Sequence, residues 1–138
     1  MVLDVGVGIG RIAKSIVNEG YQYFIGIDIS TKILDIVGSN LCTCSNIELV
    51  MADINDFIPT DTFDLTCSVL TSLHIEEKEK ALRIIFHSLE DNRLFVLSVS
   101  KDDDWFDYGS RKVKLHPIEL EEYVCIFLST GFQIQSLQ

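Results

Sequence analysis

The stretch Val2-Leu-Asp-Val-Gly-Val-Gly-Ile-Gly-Arg11 limits the fold of this chain more than any other. A short apolar run with strand character stops at glycines 6, 8 and 10, and Ile12, Ala13, Ile16 and Val17 then recur at helical spacing until Gly20. Glycines there let the backbone turn tightly and let a ligand approach with no Cβ in the way. The helix that follows aims its free N–H groups and the positive end of its dipole at the same point. A glycine triplet alone also fits a tight strand-to-helix turn that binds nothing, so the surrounding residues must decide between the two.

The rest of the chain alternates β-branched apolar runs with helix-period segments. That pattern predicts an α/β fold: a three-layer αβα, doubly wound, mostly parallel Rossmann-like sheet. Tyr23 to Ile27 reads as the second strand. Ser30 or Thr31 then caps a helix that turns Ile33, Leu34, Ile36 and Val37 inward, with Gly38 as its stop signal. Ile47 to Met51 and Phe63 to Leu70 read as the third and fourth strands, and Glu76 to Leu89 as a helix facing inward through Ala81, Leu82, Ile85, Phe86 and Leu89. Leu94 to Val99 is the fifth strand, followed by a polar loop from Lys101 to Ser110 and a short strand over Lys112 to Leu115. A helix over Glu119 to Ser129, a stop at Gly131 and a last strand over Phe132 to Leu137 complete one domain, residues 1–138, without repeats or linkers.

Composition narrows the partners. Eleven basic against 21 acidic residues give a formal net charge of −10, which repels a polyanion and makes nucleic acid an unlikely partner. Small molecules or neutral-to-basic proteins suit such a surface better, and Arg111, Lys112 and Lys114 read as a solvated edge. No apolar run approaches the roughly 20 residues of a membrane-spanning helix. No secretory leader is evident, so the cytoplasm is the default location. Cys42, Cys44, Cys67 and Cys125 read as reduced thiols, since Cys42-Thr-Cys44 lacks the further ligands of a structural zinc site. No metal is expected.

Acids close three strands around the glycine loop. Asp4 precedes the first glycine, and a carboxylate there is awkward beside a pyrophosphate but attractive to a cationic amino acid and sulfonium. The dinucleotide pattern GxGxxG would need glycine where Arg11 stands. Asp28 ends the second strand, where a carboxylate can accept both hydroxyls of a ribose. Asp53 ends the third, where its oxygen can take an adenine amino proton while Ile54 packs on the ring.

In this order the residues resemble the successive motifs of the class I (Rossmann-like) S-adenosylmethionine-dependent methyltransferases. Asp4 to Gly10 looks like the first motif, Gly26-Ile-Asp-Ile-Ser30 the second, Met51-Ala-Asp-Ile54 the third and Phe63-Asp-Leu65 with its strand the fourth; Ser129-Thr-Gly-Phe132 is similar to the family's late helix-to-strand step. The resemblance implies S-adenosylmethionine as cofactor, met by Asp4, Gly6, Gly8, Gly10, Arg11, Asp28, Ile29, Asp53, Ile54 and Ser68. It also places the segment Ser68 to His74 beside cofactor and substrate. Relatives usually carry helices before the first strand and a closing antiparallel strand. A sheet short of both is therefore expected here, unless Lys112 to Leu115 supplies the strand.

On the acceptor side, His74 is a candidate base or else a local cap. Ser72, Trp105 and Tyr108 are candidates for a substrate pocket, with the alternative that the aromatic loop only packs on the sheet edge. Asp102-Asp103-Asp104 reads as a solvated turn. The Asn/Asp-Pro-Pro-aromatic turn of amino-directed enzymes and the Pro-Cys of base-carbon enzymes are both missing, which leaves a small-molecule methyl acceptor. The alternative is a catalytically inactive adenosyl-binding or regulatory domain of the same fold.

Overall fold

A computed structural model describes residues 1–100, 104–107 and 109–138. Five parallel strands, β1 (Val2–Val5), β2 (Phe24–Asp28), β3 (Ile47–Met51), β4 (Phe63–Val69) and β5 (Leu89–Ser98), form one sheet in the order β3-β2-β1-β4-β5. Strands alternate their side chains between faces, and the two cores follow that alternation. Val2 and Phe24 face α1 (Arg11–Val17) and α2 (Thr31–Asn40), packing with Ala13, Val37 and Leu41. Leu3, Val5, Ile25 and Ile27 face the other way, against Ala81, Leu82 and Ile85 of α3 (Lys78–Ser88), while Ile126 and Phe127 of α4 (Leu120–Thr130) pack on the same cluster. Both faces of the sheet are covered, as the continuous apolar strands require.

The chain runs outward through β1, β2 and β3 and then returns to place β4 on the free side of β1. Connections on either side of that reversal diverge, opening a crevice at the carboxyl ends of β1 and β4. The glycine loop lies on one bank, and the turn after β4, with its 3-10 segment Ser72–His74, lies on the other.

Several boundaries differ from the sequence reading. Gly38 does not stop α2, which continues to Asn40; Val37 and Leu41 on either side are buried and hold the helix through it. Ile36, expected inward, is 46% exposed. β5 begins five residues early, because Asn92 takes a left-handed conformation (φ 61°) inside an irregularity that restores pairing with β4 at Leu65. Phe132 to Leu137 forms no strand: among the described residues it finds no ladder partner, and Phe132 instead packs on Phe86, Phe95 and Phe127 with ring centroids 5.0, 5.7 and 5.3 Å away. Lys112 to Leu115 does not close the main sheet. Lys112–Lys114 (β7) pairs antiparallel with Trp105–Asp107 (β6) in a separate ribbon, inside what reads as a loop. Ser30 and Gly131 act as expected, Ser30 capping α2 by accepting the Ile33 N–H and Gly131 ending α4 at φ 116°.

Burial predicts the sensitive positions. Phe63 is fully enclosed between the sheet and α3, so Phe63→Ala should cost about 3–5 kcal/mol in denaturant unfolding. Ile36→Ala, on the open side of α2, should cost less than about 1 kcal/mol. Similar losses at the two positions would contradict this packing.

Candidate functional site

The glycine loop is held in a demanding shape. Gly6, Gly8 and Gly10 all take positive φ (78°, 53° and 84°), a region that side chains with a Cβ enter only at a cost. Each glycine has a different neighbour. A Cβ on Gly6 would lie 2.1 Å from Thr71 Oγ1, and one on Gly10 would lie 2.6 Å from Val37 Cγ2. At Gly8 the nearest atom would be the Gly6 carbonyl oxygen at 3.9 Å, so the space above Gly8 is open. Two glycines thus admit the protein's own side chains, and the middle one faces the crevice.

Three side chains fasten this loop. Asp28, at the end of β2, accepts the Gly8 N–H at 3.2 Å with one carboxylate oxygen and the Ser30 N–H at 3.0 Å with the other. The Thr71 hydroxyl donates to the Gly6 carbonyl at 3.3 Å, and Asn40 donates to the Ile9 carbonyl at 2.9 Å. Each carboxylate oxygen of Asp28 keeps further acceptor capacity for a ligand. Ile29 next to it is 70% exposed, an apolar side chain with its face open at the sheet edge. Arg11 is exposed at the start of α1.

Asp4 lies beneath the loop, 2% exposed. Burial pushes its carboxyl up to about 6, hydrogen bonding with Cys67 pulls it down, and the charge of Asp28 pushes it up again. The Cys67 thiol is held well above its usual range by burial and by Asp4, so it stays protonated. Asp53 is exposed in the turn after β3, where one oxygen accepts the Asn55 N–H at 2.8 Å.

Other expected site residues lie deeper. Ile54 belongs to the core cluster between sheet and α3. Ser68 is buried, its hydroxyl without a partner among the described residues, facing the α3 side of the sheet rather than the loop. Ser72, expected at the substrate, is also turned inward, because its hydroxyl bonds to the Tyr123 hydroxyl at 2.8 Å. His74 stands at the crevice edge; burial and the nearby His116 hold its pKa below the usual value, against the raising effect of Asp28. Trp105 and Phe106 stay half exposed on the β6–β7 ribbon rather than packing down. Tyr108, Asp102 and Asp103 fall outside the described residues.

Thr71, Lys78 and His116 were not singled out by the sequence. Lys78 carried a usable signal, since it falls in the inward register of Ala81, Leu82 and Ile85. Thr71 and His116 carried none, because their roles depend on neighbours distant in sequence. Tyr108 and Lys112 stand at the Tyr-x-x-x-Lys spacing of one oxidoreductase class, so the case against a dinucleotide rests on Asp4 and Arg11. A surface groove between α3, α4 and Phe57–Pro59 lies away from the crevice and contains none of the residues that gather at the strand ends.

Comparison with known proteins agrees with this geometry. Residues 2–92 match the family model described as a methyltransferase domain, and the chain belongs to that family. Among solved structures, an S-adenosylmethionine-dependent methyltransferase from Mesorhizobium loti superposes with a TM-score of 0.80 at 21% identity, over 98% of this chain and 75% of that one. A candidate S-adenosylmethionine-dependent methyltransferase from Listeria monocytogenes gives 0.84 at 20% identity, over 98% and 74%. The [4+2]-cyclase SpnF gives 0.81 at 22% identity, over 98% and 52%. No curated protein matches by sequence. Among the described residues no helix is long and apolar enough to cross a membrane.

Two predictions follow from this geometry. Gly6→Ala should destabilise the fold by about 3 kcal/mol or more, because its Cβ meets Thr71, while Gly8→Ala should cost only the left-handed penalty of about 1–2 kcal/mol. Equal losses would contradict the difference between the two environments. The raised pKa of Asp4 favours its protonated form in the fold, so its contribution to stability is full below 3.8 and lost as pH rises through about 6. Asp4→Asn should remove this loss, so its stability relative to the parent grows by about 3 kcal/mol between those values, measured by urea unfolding. A constant difference across that range would show that Asp4 does not titrate in this way.

Proposed function

We propose that this methyltransferase-domain protein binds S-adenosylmethionine across the glycine loop and passes its methyl group to a small-molecule acceptor. The observation that carries this reading is the open space above Gly8 between the Asp28 carboxylate and the exposed Ile29. Glycine loop, carboxylate and apolar face together suit a phosphate-free adenosyl group. The acid beneath the loop favours a cation over a pyrophosphate.

In this reading Asp28 takes the ribose hydroxyls while continuing to hold the Gly8 and Ser30 N–H groups. Ile29 covers one face of the adenine, and Asp53 accepts its amino proton with the oxygen left over from its own turn. Gly6, Gly8, Gly10 and Arg11 shape the bed under the amino-acid end, with Asp4 supplying negative charge below it. Ile54 supports this side from the core, and Ser68 lines the floor without reaching the loop. The cofactor, when bound, would supply an electrophilic methyl carbon on a good leaving group. What remains for the protein is to align the acceptor, exclude water and take a proton where the acceptor loses one. His74, held neutral, is the group at the crevice edge for that last task, with Trp105 and Tyr108 as candidates for the pocket wall.

The strong charge of −10 and the exposed aromatics agree with a small organic acceptor rather than a nucleic acid. SpnF shows that this fold also serves a cyclase, so binding and methyl transfer need separate tests. Titration calorimetry with S-adenosylmethionine should give micromolar binding that weakens as pH falls through about 6, as Asp4 becomes protonated. Asp28→Ala should lose at least about tenfold in affinity, equivalent to ~1.4 kcal/mol. An unchanged affinity in that variant would remove the ribose assignment. Release of S-adenosylhomocysteine on incubation with metabolite extracts should follow binding; binding without release points to the noncatalytic adenosyl-binding alternative.

A further inference from the structure

Lys78 occupies a position where an apolar residue would be the ordinary choice. It opens α3 on the same helical face as Ala81, Leu82 and Ile85, and it is 5% exposed. Burial holds its pKa below the usual lysine value. No described carboxylate forms an ion pair with it. Glu76, Glu77 and Glu79 on its own turn are exposed, and Glu122 of α4 instead accepts the Glu119 N–H. An unpaired buried ammonium is costly, whereas a methionine would fill a similar space without that penalty.

The ammonium is spent on two backbone carbonyls. It donates to Ile75 at 2.5 Å, at the close of the turn that carries His74, and to His116 just beyond β7. The same two segments are also tied directly, since the His116 N–H donates to the Leu73 carbonyl at 2.7 Å. Leu73 and Leu115 are both buried beside this junction. His116 is therefore fixed through both its N–H and its carbonyl, the first bonded to Leu73 within the turn that presents His74.

We propose that Lys78 is a positioning residue for the acceptor side of the crevice: its buried ammonium fastens the turn that carries His74 to the segment that carries His116. The titratable groups acting on His74 are Asp28 across the crevice and His116 beside it; His116 and burial oppose its protonation, and Asp28 favours it. A His74 ring held in this way suits an acceptor that carries a dissociable proton on oxygen or nitrogen, the ring taking that proton. This last step rests on the methyltransferase reading, whereas the clamp itself does not.

Proton NMR titration of the histidine ring resonances tests the clamp in the free protein. His116→Gln should raise the pKa of His74, because the neighbouring His116 opposes its protonation. Lys78→Met should stay folded, with a thermal midpoint within about 5 °C of the parent, and in that background His116→Gln should move His74 less, the direct bond between His116 and Leu73 remaining. A His74 that ignores His116→Gln overturns the proposal, as does coupling undiminished by Lys78→Met. Failure of Lys78→Met to fold also overturns it, since that would make the ammonium a requirement of folding rather than of positioning. No cofactor enters these measurements. Intact coupling without adenosyl binding would discard the proposed function and keep the clamp, and the converse result would do the reverse.

Discussion

The Asp28 carboxylate accepts one N–H from the glycine loop and one from the start of α2, and the geometry of the crevice depends on that bridge. A backbone that enters the left-handed region three times in five residues has few contacts of its own to define it. Its shape comes from what grips it: Asp28 at Gly8, Thr71 at Gly6 and Asn40 at Ile9. Those three side chains come from β2, the turn after β4 and the end of α2, so the loop is correct only once the sheet and its first helical layer are assembled. Site and fold are therefore one construction here, and the bed under Gly8 is shaped before any ligand arrives.

Charge divides the crevice. On the loop side Asp4 is buried and its carboxyl is pushed up to about 6, which leaves a group that ionises more readily when a cation is placed above it. On the other side stand His74 and His116, on segments whose backbone carbonyls at Ile75 and His116 accept from Lys78, an ammonium that pairs with no described carboxylate. Under the proposed function the first half would attract the positive charge of the cofactor, and the second would take the proton that an acceptor gives up.

The fold was readable in the sequence because strands and glycines announce themselves locally. Val2 to Arg11 predicted strand, loop and helix, and the three acids Asp4, Asp28 and Asp53 predicted which edge of the sheet the glycine loop occupies. What escaped was whatever depends on contacts distant in sequence. Gly38 looks like a stop, yet burial of Val37 and Leu41 carries the helix past it. Phe132 to Leu137 has strand alternation but no ladder partner among the described residues. Ser72 looked like a lining residue and is instead spent on Tyr123, a bond across 51 positions. Lys78 was legible by register, since it shares the inward face of Ala81, Leu82 and Ile85, but its charge argued for a solvated position.

Amide chemical-shift mapping of the isotope-labelled protein with S-adenosylhomocysteine tests the central claim most directly, because it reports where an adenosyl ligand sits without requiring an acceptor. The largest shifts should fall at the N–H groups of Gly6 to Arg11, at Asp28 and Ile29, and at Asp53 to Asn55, with little change along the outer groove between α3 and α4. Shifts concentrated in that groove, or none at all from a well-folded sample at saturating ligand, would contradict that claim.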